Sequence, residues 1–415
     1  MNASRPLLPL DDALQRLAAA AAAHRITETD TVSTFHVLGR VLAAEVRAPI
    51  AVPGADNSAM DGYAMRAADV PAAGTVLPVS QRIPAGHVGQ PLQPGTAARI
   101  FTGALVPEGA DAVVMQEQCE AVDAAGSAAV RVNTVPQPGL AVRRRGEDVA
   151  EGAVVLASGQ RLSPQALGLA ASVGVGELPV LRRPRVAILC TGDELAMPGE
   201  PLKPGALYNS NRYTLRALAE AAGCAVTDLG NVPDRLDATR AALRQAAAGH
   251  DLIVTSGGVS VGEEDHLKPA AQAEGRLENW QLAIKPGKPL AFGAIRRADG
   301  SEALLVGLPG NPVSSFVTWL LAVREVLAAL QGLPAGLPPA LPMRAGFDWP
   351  RPDKRREFLR VRVAADGRLE LFVNQGSGVL TSTVWADGLV DVPAGQPIAA
   401  GDLVAYRPLA GWIGG

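Results

Sequence analysis

The chain has 415 residues, more than one hydrophobic core usually serves, so roughly two to four domains are expected. Its formal net charge of -3, with 19% charged and 4% aromatic residues, gives neither the basic footprint nor the stacking surface of a nucleic-acid binder, and no polybasic face for an anionic membrane. The three cysteines, Cys119, Cys190 and Cys224, stand apart without a CxxC or a His at ligand spacing, which suits a reducing cytoplasm and argues against a zinc site.

At the N-terminus, LDDALQRLAAAAAAHR places acids and an Arg inside an apolar pattern and reads as an amphipathic helix, not a signal peptide. No run reaches the roughly 18 apolar residues of a membrane span. The helical pattern extends from Asp11 to about Val46. Between Pro49 and Asp148, short β-rich runs (TVLPVS, AARIF, DAVVM) alternate with PAG, PEG and PQPG turns and predict an all-β insert over 49–148. An Ala-rich helix, SPQALGLAASVG, follows. It is expected to pack with the first zone, so that 8–48 and 149–183 make one discontinuous helical domain.

From 184 to 333 the period changes repeatedly. PRVAILCTG, CAVTDLGNV, DLIVTSGG and EALLVGLPG read as strands. NRYTLRALAEAAG, PDRLDATRAALRQAAAG and NPVSSFVTWLLAVREVLAALQG read as helices. The alternation predicts an α/β domain with a mainly parallel sheet and a ligand beyond the strands' C-terminal ends. After the linker GLPAGLPPALP, residues 334–415 (FLRVRV, LELFV, LVDVPAG, DLVAYRPL) predict a small β-barrel or sandwich. The expected fold class is therefore multidomain, α/β plus all-β.

Three turns fall at the strand ends of the α/β zone. CTGDEL carries Thr191, Gly192, Asp193 and Glu194. TSGGVSVGEEDH carries Ser256, Gly257, Gly258, Ser260 and Asp265. LPGNPVSS carries Pro309, Gly310 and Asn311. Each alone reads equally well as a tight connection, but three at one sheet edge point to a phosphate-bearing ligand. In the last turn Asn311 suits a cap and Pro312 the first helical position, and such a helix start favours an anion by about 0.3–1 kcal/mol when exposed.

The acids beside these turns pose a problem. A carboxylate about 4 Å from a phosphate oxygen repels it by about 1 kcal/mol in water, and by several at an effective dielectric near 20. Glu263 and Glu264 suit a solvated loop, but Glu194 and Asp265 come from neighbouring strand ends and are placed to share Mg²⁺ with a phosphate. Asp234 in NVPDRLD reads either as a helix cap or as a catalytic carboxylate. Lys285 and Lys288 in IKPGKP either converge on an oxyanion or decorate a solvated hairpin. KRREFLR offers Arg355 and Arg356, and NQGSGVLTS offers Ser377 and Ser382, both weak signals alone. In the β insert, DNSAMDGYAM gathers Asp56, Asn57, Ser58, Asp61 and Gly62. Thr102 lies in a Thr-Gly turn, and RRRGED, ending at Asp148, reads as a salt-bridged loop.

Taken in order, NSAMDGYA, FTGALVPEGADAVVMQE, RRRGED, CTGDEL, TSGGVSVGEEDH, IKPGKP and LPGNPVS resemble the motif series of the MoeA family of molybdopterin molybdenumtransferases, which includes the E-domain of gephyrin. The resemblance runs from about Leu8 to the C-terminus. It implies insertion of molybdenum from molybdate into adenylylated molybdopterin, with Mg²⁺ as cofactor and release of AMP. It also implies a cytoplasmic, elongated homodimer of four-domain subunits with a cleft shared between them, in contact with the preceding adenylyltransferase. Asp61, Thr102 and Asp148 would face the partner's cleft, and Glu194, Asp234 and Asp265 would be the acids of the α/β domain. Lys285, Lys288, Arg355, Ser377 and Ser382 would lie on the molybdate side. Gln281 stands where some relatives carry Lys.

Other chemistries fit less well. GxxxxGK(S/T) is absent, and GVGELP at Gly174 lacks the third glycine and follows a helix, so neither a P-loop kinase nor a nicotinamide dehydrogenase is expected. The alternative of a different class is a non-catalytic dimeric scaffold that uses the same fold to bind a partner protein.

Overall fold

A computed structural model describes residues 6–124, 126–258 and 266–413; Ser260, Glu263, Glu264 and Asp265 lie outside the described residues. The chain divides into two compact units, one of residues 31–38 and 42–179, the other of residues 1–30, 39–41 and 180–415.

The first unit is built on a six-stranded sheet in the order Ala112–Met115, Gly62–Met65, Ala97–Ile100, Thr75–Ile83, Ser127–Val132, Cys119–Ala124. Neighbours run antiparallel except for Thr75–Ile83 and Ala97–Ile100, which are parallel. Gly62 is needed at its place, since a Cβ there would lie 2.0 Å from the Val114 carbonyl oxygen. Helix Pro164–Ser172 belongs to this unit and starts with Pro at its first turn. The Ser163 hydroxyl accepts from the Ala166 N–H at 3.3 Å.

The second unit contains an α/β sheet of six strands: β1 (Arg185–Thr191), β2 (Ala225–Val232), β3 (Leu252–Ser256), β4 (Gly275–Gln281), β5 (Pro289–Arg296) and β6 (Glu302–Leu308). Their order is β2-β1-β3-β6-β5-β4. The first four are parallel, and β5 and β4 complete the sheet antiparallel. RVAILCT and LIVTS are almost wholly buried, as strands covered on both faces must be. On one face Val186 and Ile188 pack with helices α1 (Ser210–Ala221) and α4 (Pro312–Leu330). On the other, Ala187 and Leu189 pack with α2 (Leu236–Gly249) and α3 (Leu267–Glu274).

Helix α4 contains a π turn at Trp319–Val323. By length and hydropathy it matches a membrane span, contrary to the reading that no run approaches one. Yet 89% of it is buried inside the unit. The buried Glu325 carboxylate within it accepts one bifurcated hydrogen bond from the Gly336 N–H, at 2.9 and 3.1 Å to its two oxygens. It is the central core helix, with Leu10, Leu14 and Leu17 of the N-terminal helix Leu10–Ala22 in the same apolar cluster. That helix stops at Ala22 and does not run on to about Val46. The threonine-rich TDTVS at Thr29–Ser33 is instead a strand, as β-branched residues favour. The first helix thus shares a core with α4, while Pro164–Ser172 belongs to the other unit.

The C-terminal sheet runs Ile284–Lys285, Arg356–Val363, Gly388–Val392, Leu403–Pro408, Leu341–Arg344, and Leu369–Leu371 also pairs with Arg356–Val363. Its first rung comes from the turn between β4 and β5, with Ile284 opposite Arg356 and Lys285 opposite Glu357. Phe358, Leu389 and Trp412 extend the α/β core.

Candidate active site

Strands β1, β3 and β6 end together, and residues at their ends line an open cavity of about 420 Å³. Thr191, Glu194, Ser256, Gly257, Gly310 and Asn311, all selected from the sequence, line it. The backbone geometry explains the glycines. Gly257 has φ of +90°, and a Cβ there would lie 3.0 Å from the Thr191 carbonyl oxygen. Gly258 (φ +66°) and Gly192 (φ +141°) also sit where side chains are strained.

Helix α1 closes the cavity. Its Asn211 Nδ2 donates to the Ser256 hydroxyl at 2.7 Å and to the Gly310 carbonyl at 2.8 Å, fastening two of the turns together. Asn209 caps the helix by accepting from the Arg212 N–H at 3.1 Å, and its Nδ2 donates to Asn231 at 2.7 Å. The start of α4 is less open than the sequence suggests, because the Val313 N–H donates to the Ser377 carbonyl at 3.0 Å. The Gly310 and Asn311 N–H groups make no hydrogen bond to the described residues and sit in the cavity wall.

Glu194 is exposed at the rim and folds its carboxylate back over Gly192, where a Cβ would lie 2.6 Å from Oε2. Asp193 accepts from the Asp234 N–H at 3.1 Å, which ties the β1 and β2 turns together. Asp234 does not cap α2; the N-cap is Arg235, and no side chain caps that end. Of the acids chosen from the sequence, Glu194 and Asp234 are thus at described strand ends, while Asp265 lies outside the described residues. Among the described residues no cluster of three or more His, Cys, Asp or Glu has metal-holding geometry.

The cations selected for an oxyanion lie around the C-terminal sheet. Lys285 Nζ is 3.1 Å from the buried Glu357 carboxylate and 3.6 Å from Asp353. Arg355 binds Asp353 through Nε and Nη2 at 2.9 and 2.8 Å. The Arg355 fork, with its backbone N–H, holds the Asp353 carboxyl well below the usual carboxylate range. Arg356 is paired with Asp391 and Asp11. Lys288 is exposed. Ser382 is fully buried and donates to the Val379 carbonyl, while Ser377 contributes its carbonyl to α4.

Arg360 behaves differently. It is 1% exposed, and its hydrogen bonds go to the neutral Ser382 hydroxyl and the Phe358 and Gly376 carbonyls, at 3.2–3.3 Å. No carboxylate pairs with it among the described residues, and burial pulls its pKa down to about 10. The guanidinium is still charged at neutral pH, an uncompensated buried cation behind the 374–382 loop.

In the other unit, Asp61 Oδ1 accepts from both the N–H and the hydroxyl of Thr102, at 2.8 and 2.7 Å, which lowers its pKa. The pairing of Asn57–Ser58 with Val142–Arg143 runs DNSAMDGYAM beside RRRGED. Within that loop Arg144 pairs with Asp56 at 2.6 Å and Arg145 with Glu151 at 2.8 Å. Asp148 is exposed, and neither of these arginines pairs with it.

Comparison with known proteins gives the family. Three family models tile the chain: the MoeA N-terminal region (domain I and II) over residues 8–174, a probable molybdopterin binding domain over 187–329, and the MoeA C-terminal region (domain IV) over 342–409. A molybdopterin molybdenumtransferase of Haemophilus influenzae is 43% identical over 307 residues, 74% of this chain and 74% of its own. Molybdopterin molybdenumtransferase 2 of Mycobacterium tuberculosis is 40% identical over 377 residues, 88% of this chain and 90% of its own. The chain belongs to the MoeA family. A solved molybdopterin biosynthesis MoeA protein of Pyrococcus horikoshii matches with a TM-score of 0.81 at 27% identity, covering 97% of this chain and 100% of that one.

Two features of this MoeA-family site escape a reading of the sequence. Asn209 and Asn211 in LYNSNRY look like ordinary helix-start residues, although two Asn at a strand-to-helix turn are a usable signal. Arg360 in REFLRVRV looks like any strand arginine, yet its alternation in phase with the buried Phe358 points it inward.

Proposed function

We propose that this chain inserts molybdenum into molybdopterin, taking adenylylated molybdopterin and molybdate, releasing AMP and requiring Mg²⁺. The observation that carries the reading is the cavity at the ends of β1, β3 and β6. Its wall offers the Gly310 and Asn311 N–H groups, hydroxyls and amides, with Glu194 at the rim and neither Lys nor Arg among its described lining residues. A phosphoanhydride needs its charge neutralised there, and an oxygen-only donor set with one carboxylate fits a hard dication. Glu194, with Asp265 of the neighbouring turn, would hold Mg²⁺, which supplies charge stabilisation as AMP leaves.

The chain's own residues do the rest by placement. Asn211 fixes Ser256 and the Gly310 carbonyl, so the N–H groups beside them face a phosphate without reorganising. A molybdate oxygen attacks the adenylyl phosphorus, and the phosphoanhydride P–O bond breaks with molybdopterin phosphate as the leaving group. AMP is freed, carrying that oxygen, when its Mo–O bond breaks; the dithiolene sulfurs take the metal and a second oxygen leaves as water. Lys288 is the cation best placed for molybdate, since it is exposed while Lys285 and Arg355 already face Asp353 and Glu357. The same reading makes the protein a cytoplasmic homodimer, with Asp61, Thr102 and Asp148 serving the partner's cleft and the preceding adenylyltransferase delivering the substrate.

The test is direct. Purified chain, adenylylated molybdopterin, molybdate and Mg²⁺ should release AMP and form the metallated pterin. A folded protein that releases none overturns the reading and favours a scaffold.

A further inference from the structure

The end of the β-insert sheet is organised around one side chain that the reaction as read so far does not use. Arg99, on strand Ala97–Ile100, donates from Nη1 to the Gly62 carbonyl at 2.9 Å and from Nη2 to Gln116 Oε1 at 2.7 Å. Gly62 follows Asp61, and the Gln116 backbone N–H donates to the Asp61 carbonyl at 3.0 Å. The flat face of the same guanidinium lies over Phe101, which precedes Thr102, at 4.7 Å, and over Tyr63 at 5.2 Å. Three chain segments, at 61–63, 101–102 and 116, therefore meet on Arg99.

Between them Thr102 saturates Asp61 Oδ1, whereas Oδ2 makes no hydrogen bond to the described residues. The outcome is an ionised carboxylate with one oxygen pinned and the other presented to solvent. The charged and titratable neighbours of the cluster are Arg82, Glu117, Cys119 and Tyr63. Arg82 is directly opposite Arg99 and lies over the same Phe101 ring at 4.5 Å, with no acid at ion-pair distance among the described residues. Like charges face to face on a sheet are destabilising. A fork needed only to close a strand end would not require that second cation.

We infer that Arg99 is a positioning residue, which holds the Asp61–Thr102 pair in the orientation the reaction requires. The inference rests on the reading of Asp61 as a working carboxylate of the insertion reaction. Arg99 acts through Asp61 and need not touch the substrate. A lysine cannot replace it, because a point charge supplies neither the fork nor the stacking plane.

The test compares full-length Arg99→Met, Arg99→Lys and Asp61→Asn with the parent chain. In folded Arg99→Met, kcat for AMP release should fall by about tenfold to a hundredfold, the scale of a small misplacement. KM for adenylylated molybdopterin should change by less than about threefold. The Asp61 midpoint, followed by carbon NMR of labelled Asp, should move up. Arg99→Lys should recover part of the titration shift and little of kcat, and it carries the test if the Met variant does not fold. Unmoved kcat and Asp61 midpoint, or a rise in KM alone, overturn the inference. Full activity in Asp61→Asn overturns the reading beneath it as well, which separates the two failures.

Discussion

Arg360 donates from Nε to the Ser382 hydroxyl at 3.2 Å, and Ser382 in turn donates to the Val379 carbonyl at 2.7 Å. This chain fixes a buried cation beneath the 374–382 loop without a carboxylate. Replacing buried ionic groups by apolar side chains of similar volume is often neutral or stabilising. Arg360→Met should therefore keep its melting temperature, whereas Lys288→Met should lose about tenfold to a hundredfold in molybdate affinity, the worth of charged hydrogen bonds. Calorimetric titration with molybdate checks it, and unchanged affinity in Lys288→Met would clear Lys288 of the role.

Asp353 stands between Lys285 and Arg355 and occupies them as an internal anion. Its carboxyl is held below the usual range, chiefly by the Arg355 fork, so its contribution to stability is complete above the unfolded value near 4 and is lost as pH falls through the lower folded value. Asp353→Asn should be less stable than the parent by about 1–3 kcal/mol at pH 7, with the gap closing below about pH 4. Urea unfolding at several pH values measures this. A gap that stays constant down to pH 2 would contradict the assignment.

The two glycines that adjoin in the cavity wall should respond differently to Ala. At Gly257 the methyl group meets a left-handed backbone and the Thr191 oxygen at 3.0 Å, so a loss of about 1–3 kcal/mol is expected. At Gly310 the nearest atom is 4.0 Å away, so stability should hold within about 0.5 kcal/mol. A methyl group at Gly310 nevertheless stands where a ligand would approach the backbone. AMP binding to folded Gly310→Ala should weaken by about tenfold, roughly 1.4 kcal/mol. Equal AMP affinity would place the phosphates elsewhere.

Glu194 is exposed, and its removal costs no core packing. Glu194→Gln should melt with the parent chain yet need about tenfold more Mg²⁺ for half-maximal AMP release, since one of few carboxylate donors is gone. Chelator should silence both. Release that persists in chelator would remove the metal from the account.

Much of this site is legible in the amino-acid sequence because turns advertise themselves. Gly257, Gly310 and Thr191 lie in short punctuated runs directly after buried strands, and the sheet brings those runs together whatever the details of packing. Partnership is harder to read. KRREF presents two arginines as equivalent, and only the folded chain shows Arg355 closed on Asp353 and Arg356 on Asp391. Arg360 is invisible as a special residue because the lack of an acid beside it is a property of three-dimensional neighbours. Asp234 shows the same limit, since its sequence position suits a cap that the start of α2 does not use.

The two-residue rung Ile284–Lys285 has a consequence for how this protein can be divided. It leaves the parallel sheet's own connection and becomes an edge of the following sheet, while Phe358, Leu389 and Trp412 return the exchange in the shared apolar interior. Cutting at the proline-rich linker would strip each fragment of part of its interior and bare a strand margin on both. The last eighty or so residues are thus not a detachable cassette, and recombination that grafted them onto another sheet would have to carry this crossed strand along.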